Sequence, residues 1–397
     1  MNTALKQRIQ DEARKLFPLI QEVRRHIHKH PELSFEETAT SAYLQTKLQE
    51  AGIEFSNGWV KTGIRAIVSG STPGKTLALR GDMDALPIKE SNSCEYASLV
   101  PGVMHACGHD VHSACVLGAG MILQSMRQEW AGEVLLIFQP GEEKLPGGAR
   151  LMMEDGVFED KTPKAIVAQH VFPSLTAGKV GFRPGKYMAS TDEIYITVRG
   201  KGGHGALPHQ VNDPIVASAQ IILALQQVCS RYASPGTPTV LSIGKVIAEG
   251  ATNVIPDEVK MEGTFRTMDE NWRMRAHELI HRICTETARA MGVRAEVDIR
   301  KGYPVLDNDE ALTNRCMDAA KEYLGAENVE LLDKRMTAED FAWMAQEYPA
   351  CFYRLGTAGA NGAFTSGVHT SSFDIDEEAL ITGMGLMAWL TLNELQA

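Results

Sequence analysis

The sequence predicts an α/β protein, with a mixed sheet flanked by helices and a ferredoxin-like α+β domain inserted into it. Three observations carry this prediction. Short apolar runs alternate with helix-like stretches up to about residue 187; from 188 to 299 the order becomes strand, helix, strand, strand, helix, strand; from 300 to 397 the first rhythm returns. Strand and helix in alternation imply a sheet buried on both faces, and β-α-β-β-α-β is a self-contained unit. A chain of 397 residues also exceeds one ordinary core. We therefore expect one domain from 1–187 and 300–397, and a second from 188–299.

Taken in order, residues 5–52 carry helical periodicity, with Leu16, Ile20, Val23 and Ile27 three and four apart until Pro31 interrupts them. GIRAIVSG, KTLALRGD, GEVLLIFQP and KAIVAQHV read as strands bounded by Gly, Pro or charge, and SACVLGAGMILQSMRQ reads as a helix. In the insertion, TDEIYITVRGK is a strand and NDPIVASAQIILALQQVCSRY a helix opened by Asp213 and Pro214. TVLSIGKVIAE and EVKMEGTFRTM are strands, DENWRMRAHELIHRICTETARAMG is a helix closed by Gly292, and VRAEVDIRK is the last strand. The returning chain offers the helix DEALTNRCMDAAKEYLG, the strand PACFYRLG and a closing helix in DEEALITGMGLMAWLTLNELQA.

A formal charge of −11 opposes sequence-independent attraction to nucleic acid or anionic lipid. The amino-terminal stretch MNTALKQRIQDEARKLF mixes charge into its apolar positions, unlike a signal peptide, and no apolar run reaches transmembrane length. Seven cysteines without framework spacing suit reduced thiols, so a cytoplasmic location is expected.

The densest chemistry lies in MHACGHDVHSAC, residues 104–115. Cys107 and His109 stand two apart; Glu142 and Glu143 follow the strand GEVLLIFQP, His170 ends KAIVAQHV, and His369 lies far downstream in SGVHTSSFD. Sites in open α/β sheets form beyond the carboxyl ends of the strands, where such loops converge. Thiolate, imidazole and carboxylate together suit zinc or another borderline transition ion better than calcium or magnesium. The set is too large for one tetrahedral ion and fits two ions about 3.5 to 4 Å apart.

ALRGDMDALPI, MHACGHDVHSA, FQPGEE, QHVFP, GKGGHGALPH, NVIP and VHTSSF, in this order, resemble the M20 metallopeptidase family. The similarity is to its branch of amidohydrolases acting on N-acyl, hippurate-like and indole-acetyl amino acids, and it runs from about residue 20 onward. The resemblance implies that Cys107, His109, Glu143, His170 and His369 hold two divalent ions (zinc, manganese, nickel or cobalt) and that Glu142 is the general base. It implies a histidine-orienting role for Asp84, while Asp82, standing where the wider family has a histidine, is not expected to bind metal. In the insertion it assigns His204 to the oxyanion, and Asn253 and Arg266 to the substrate's free carboxylate. It further implies a homodimer formed through the insertion, which would close as a lid over a small N-acyl amino acid.

Other readings weigh against these. Cys107 alone is more often an inert buried thiol and His170 alone a core histidine; a Cys107–His109 nucleophilic pair would leave the remaining four residues without work. His26, His28 and His30 read as solvated residues at a helix end, His277 and His281 as an exposed helical face, and His105, His112 and His209 as supporting or structural. Glu339 and Asp340 are expected to support the site. A dipeptidase or carboxypeptidase with the same centre, or a catalytically silent binding protein, are the alternative functions.

Overall fold

The computed structural model describes residues 3–396. The chain first lays down α1 (Thr3–Lys29), α2 (Thr38–Glu50), β1 (Glu54–Trp59), β2 (Gly63–Ser69), β3 (Thr72–Asp82), α3 (His109–Ser125), β4 (Ala131–Gln139), α4 (Gly148–Glu154), β5 (Ile166–Thr176) and β6 (Val180–Phe182). It then forms β7 (Asp192–Arg199), α5 (Pro214–Gln227), β8 (Thr239–Ile247), β9 (Glu258–Thr267), α6 (Glu270–Ala290) and β10 (Arg294–Lys301). It returns with α7 (Glu310–Leu324), β11 (Val329–Leu331), α8 (Ala342–Glu347), β12 (Ala350–Ala358) and α9 (Ala379–Gln396).

Two compact units result. The first holds the described residues up to Gly185, Asp307–Asp333 and those from Asp340 onward; the second holds Lys186–Leu306 and Lys334–Glu339. The short return segment joins the second unit because its backbone is bonded there: the Ala189 N–H donates to the carbonyls of Arg335 and Thr337, at 3.1 Å each.

In the first unit eight strands pair in the order β1-β2-β4-β3-β5-β12-β6-β11. β3 runs parallel to β4 and β5, and β5 parallel to β12, while β1, β2 and β4 pair antiparallel. This is the mixed sheet expected. α1 buries Ile9, Ala13, Ile20, Val23 and Ile27 along one stripe, and α9 is apolar and buried almost all round, as a helix in the middle of a layer must be. α1, α3 and α9 pack on one another, whereas the short α4 and α8 pack together and touch β4 and β12.

One change of register matters for the site. β3 and β5 are paired only from Ala78↔Ile166 to Arg80↔Ala168. Beyond that the Val171 N–H turns to the ring nitrogen Nε2 of His112, 2.9 Å away. β5 itself continues to Thr176, so His170 lies inside a strand and not at its end as the sequence suggested; what ends before it is the pairing with β3.

The second unit is an antiparallel sheet in the order β8-β9-β7-β10 with α5 and α6 packed on it. This is the ferredoxin-like arrangement expected. α5 begins at Asp213, whose carboxylate accepts the N–H groups of Ile215 and Val216, with Pro214 in the first helical position. Within the unit Asp192 is fully buried and takes Arg273 and the Nε2 of His277, the latter at 2.6 Å. Burial opposes the Asp192 charge, but the bonds from His277 and Arg273 outweigh it and lower its pKa. His277 is therefore a partner of a buried aspartate and not an exposed helical residue, a pairing that 85 positions of separation hide from sequence; His281 is exposed.

Candidate metal centre

Asp84, two residues beyond the end of β3, organises the site. Its buried carboxylate accepts four hydrogen bonds: from Ser34 Oγ at 2.6 Å, from His109 Nδ1 at 3.1 Å, and from the backbone N–H groups of Glu142 and Glu143 at 3.0 Å each. Burial disfavours its charge, yet these donors hold its pKa below the usual carboxylate value. One side chain thus fixes both the ring of His109 and the loop that follows β4.

The cysteine and histidines arrive from three segments. Gly108 immediately precedes α3 with φ +80°, and a Cβ there would stand 2.6 Å from a Val171 methyl, so glycine is required on both counts. This turn sends Cys107 and His109 towards His170, whose Nε2 lies 3.4 Å from Cys107 Sγ. His170 Nδ1 donates to the Val171 carbonyl at 2.9 Å, which leaves Nε2 as the nitrogen that faces the thiol. His369 comes from the loop before α9, its N–H bonded to the Ala106 carbonyl at 2.7 Å and its backbone at φ +63°. A histidine in the left-handed region is strained, and such strain persists where the surroundings fix it. His369 Nε2 lies 3.1 Å from Glu143 Oε1, and its side chain is 52% exposed while Cys107, His109 and His170 are buried.

Ligand-capable atoms gather within 4.8 Å of one another in the sets Cys107, His109 and His170; Cys107, Glu143 and His369; and His109, Glu142 and Glu143. Cys107 belongs to both of the first two. Among the described residues, the buried His109 Nε2 accepts or donates no hydrogen bond. Leaving such an atom unsatisfied costs about 1 to 3 kcal/mol, and a cation beside it would remove that cost. The donor set of sulfur, imidazole nitrogen and carboxylate oxygen fits a borderline transition ion. In a further set, Asp82, His109 and His112, the aspartate and His112 are satisfied without one. Asp82 accepts from Arg80 Nη1 and His112 Nδ1, both at 2.6 Å, and His112 Nε2 accepts the Val171 N–H. Asp82 and His112 are structural here.

Glu142 sits against a second buried clamp. Its Oε1 accepts the Asp340 N–H at 3.3 Å. The Asp340 carboxylate in turn accepts from Arg80 Nη2 at 2.7 Å, Gln139 Nε2 at 2.7 Å and the Ala149 N–H at 2.9 Å. Sequence reasoning expected support from Asp340 but missed Arg80 and Gln139; an arginine inside the apolar strand KTLALRGD was the available signal, since a buried guanidinium requires partners.

The histidines of RRHIHKH divide. His26 and His30 are exposed as expected, but His28 is fully buried, its Nδ1 2.8 Å from Asp110 and its Nε2 3.2 Å from Glu90. The helical spacing that buries Val23 and Ile27 carries His28 inward, where Asp110 and Arg24 meet it. His105 is buried without a hydrogen-bond partner among the described residues, and burial lowers its pKa to about 3; it is a neutral ring. His209 is exposed.

In the second unit His204 pairs with Val254 across two short strands, and its Nδ1 accepts the Ala206 N–H at 3.1 Å. Asn253 adjoins it, the Gly205 N–H reaching its carbonyl at 2.8 Å. Arg266 lies on β9, partly buried, with Nη1 donating to the Met336 carbonyl at 3.3 Å. Burial lowers its pKa.

The pattern of peptidase family M20/M25/M40 matches residues 78–393. The chain belongs to this family. As an M20 protein it is 43% identical over 289 residues to an N-acyl-L-amino acid amidohydrolase of Geobacillus stearothermophilus, covering 72% of this chain and 77% of that one. It is 38% identical over 361 residues to an N-acetyl-L-cysteine deacetylase of Bacillus subtilis, covering 90% of this chain and 84% of that one. Among solved structures, a protein of Bacillus subtilis described as a dinuclear metal-binding peptidase of the M20 family superposes with TM-score 0.82 at 35% identity, over 96% of this chain and 99% of that one. These likenesses agree with the family resemblance carried by the motifs.

Proposed function

We propose that this M20 protein hydrolyses the amide bond of N-acyl or N-aroyl amino acids, releasing a carboxylic acid and a free amino acid. The observation that carries it is Cys107 shared between two groups of ligand atoms beside Glu142. Cys107, His109, Glu143, His170 and His369 would hold two divalent transition ions, zinc, manganese, nickel or cobalt. When bound, such ions polarise an amide carbonyl and bring the pKa of water towards about 7. Glu142 takes the proton of the attacking water and returns it to the leaving amine. Asp84 positions His109 and the two glutamates and touches no substrate. His204 supplies a donor to the oxyanion, and Arg266 with Asn253 binds the free carboxylate, for which a guanidinium is the matching fork. Cys107 is not the nucleophile in this scheme: its sulfur belongs to both groups of ligand atoms and is taken up as a ligand.

Exhaustive chelation is expected to abolish hydrolysis, and reconstitution with each of the four metals in turn to restore it to different degrees. A panel of N-acetyl, N-benzoyl and dipeptide substrates sharing one amino acid, assayed on the reconstituted protein, checks both this and the acyl preference. Hydrolysis that survives chelation would remove the metal from the scheme, and dipeptides cleaved faster than acyl amino acids would favour the peptidase reading.

The second unit is proposed to form a homodimer. β8 is an edge strand with Val246 and Ile247 exposed, and α5 beside it exposes Ile215, Val216 and Leu223; an apolar edge of this kind needs cover. Val246→Glu with Leu223→Glu is expected to halve the mass seen by sedimentation equilibrium, and an unchanged mass would count against this interface. Seven free cysteines support a reducing compartment, and no described helix is long and apolar enough to cross a membrane. We place the protein in the cytoplasm.

A further inference from the structure

Two side chains from the segment between α1 and α2 reach the loop that carries Glu142 and Glu143. Ser34 does so through Asp84, to which its hydroxyl donates at 2.6 Å. Glu37 does so directly: its Oε1 accepts the N–H of Gly141, the residue before Glu142, at 2.8 Å. The same oxygen accepts the Phe35 N–H at 2.9 Å, and Oε2 accepts the Thr62 hydroxyl at 2.8 Å. Three consecutive N–H groups are thus divided between two buried carboxylates, Glu37 taking that of Gly141 and Asp84 those of Glu142 and Glu143.

The backbone on both sides of Glu37 Oε1 lies in the left-handed region, with φ +67° at Phe35 and +62° at Gly141. For a bulky residue such as phenylalanine this is strained, and it persists only where the surroundings over-determine it. The Phe35 ring lies against Gly141, where a Cβ would collide with the ring edge, so ring and carboxylate grip the same residue. The segment is itself anchored. The Glu32 carboxylate accepts the N–H groups of Ala39 and Thr40 at 3.0 and 2.8 Å, and the Ala85 N–H donates to the Glu32 carbonyl at 2.8 Å. The donors to Glu37 are all uncharged. Burial and the nearby Asp84 raise its pKa to about 7, so what the loop requires of this side chain is an acceptor and not a charge.

We propose that Glu37 is a positioning residue for the general base, acting through the Gly141 N–H; this rests on the reading of Glu142 as that base. The torsion angles of Gly141 set the direction in which Glu142 leaves the loop, and the bond to Glu37 fixes them. Glu143, one residue further on, is secured by Asp84. Glu37 touches no substrate.

Steady-state kinetics on an N-acetyl amino acid with the metal-loaded protein, and elemental analysis of the same samples, test this. Glu37→Met fills the same space without an acceptor and is expected to lower kcat about 30-fold, inside the roughly hundred-fold that a displacement of about 1 Å costs, with KM and metal content unchanged. Glu37→Gln, whose amide oxygen still accepts both N–H groups, is expected to recover at least about half of the parent kcat. In protein already carrying Glu142→Gln, Glu37→Met should lower kcat no further, because residues that act as a unit are not additive. Thermal melts followed by circular dichroism check folding; if Glu37→Met does not fold, Glu37→Asp, which withdraws the acceptor by one methylene, is read in its place. A folded variant without the acceptor but with the parent kcat, a Gln variant as impaired as the Met variant, metal lost in step with kcat, or a full further loss beside Glu142→Gln would each overturn the proposal. Full activity of Glu142→Gln alone would instead remove the reading of Glu142 as the base.

Discussion

Glu142→Gln is expected to lower kcat by about three orders of magnitude, within the range of roughly 10² to 10⁴ typical of a lost acid–base group, while the protein keeps both metal ions and its stability. Glutamine preserves the shape of the side chain and its carbonyl oxygen still accepts the Asp340 N–H, so the clamp formed by Arg80, Gln139 and Asp340 is undisturbed. In the proposed mechanism, what disappears is the ability to take a proton from water and hand it to the leaving amine. KM should change little, because the group acts on the transition state. Steady-state kinetics on an N-acetyl amino acid, with metal content measured by elemental analysis on the same sample, decide the matter. A kcat within ten-fold of the parent would remove Glu142 from the role.

The second large effect belongs to Asp84. Asp84→Asn leaves one acceptor oxygen where there were two and turns an amide NH₂ group towards the surrounding donors, Ser34 Oγ, His109 Nδ1 and the N–H groups of Glu142 and Glu143. A buried arrangement that loses its charge in this way should lose about 3 to 5 kcal/mol. It should also weaken metal binding, by about 10- to 100-fold, as the loss of a residue that orients a ligand usually does. Denaturant melts of the apo protein isolate the first effect, and metal titration of folded apo protein isolates the second. Ser34→Ala removes one donor and leaves the backbone bonds in place, and should cost far less on both scales. A variant at Asp84 that binds metal as well as the parent would mean that the glutamate loop is held by other contacts.

Much of this was legible in the residues. Strands around 63–69, 72–82, 131–139 and 166–176 are short apolar runs between Gly, Pro and charge, so their period and punctuation marked them. The returning helix at 379–396 was plain for the same reason. β1, with its polar FSNGW, and β6 and β11, three residues each, carry no such pattern, because pairing of a polar or very short strand depends on its neighbours more than on composition. α4 and α8 are too short for helical periodicity to register.

The candidate ligands were legible as residue types but not as geometry. The four bonds of Asp84 include two to backbone N–H groups, and an N–H leaves no mark in a sequence. His28 and His277 were misjudged for a related reason: each pairs with a buried aspartate more than eighty positions away, at Asp110 and Asp192. Periodicity shows which face turns inward, but whether a polar residue on that face finds a partner is decided by the tertiary fold.

The place of β12 in the sheet bears on how the protein is made. Residues 350–358 pair with β5 on one side and β6 on the other, strands synthesised some 170 positions earlier, whereas the second unit is nearly contiguous between Lys186 and Leu306. Domains tend to fold as units while the chain is still growing. On a ribosome the inserted unit therefore completes itself while the larger sheet still gapes between β5 and β6, and His369 emerges only after that gap can be filled, so the ligand cluster proposed for the metal is among the last features a nascent molecule acquires.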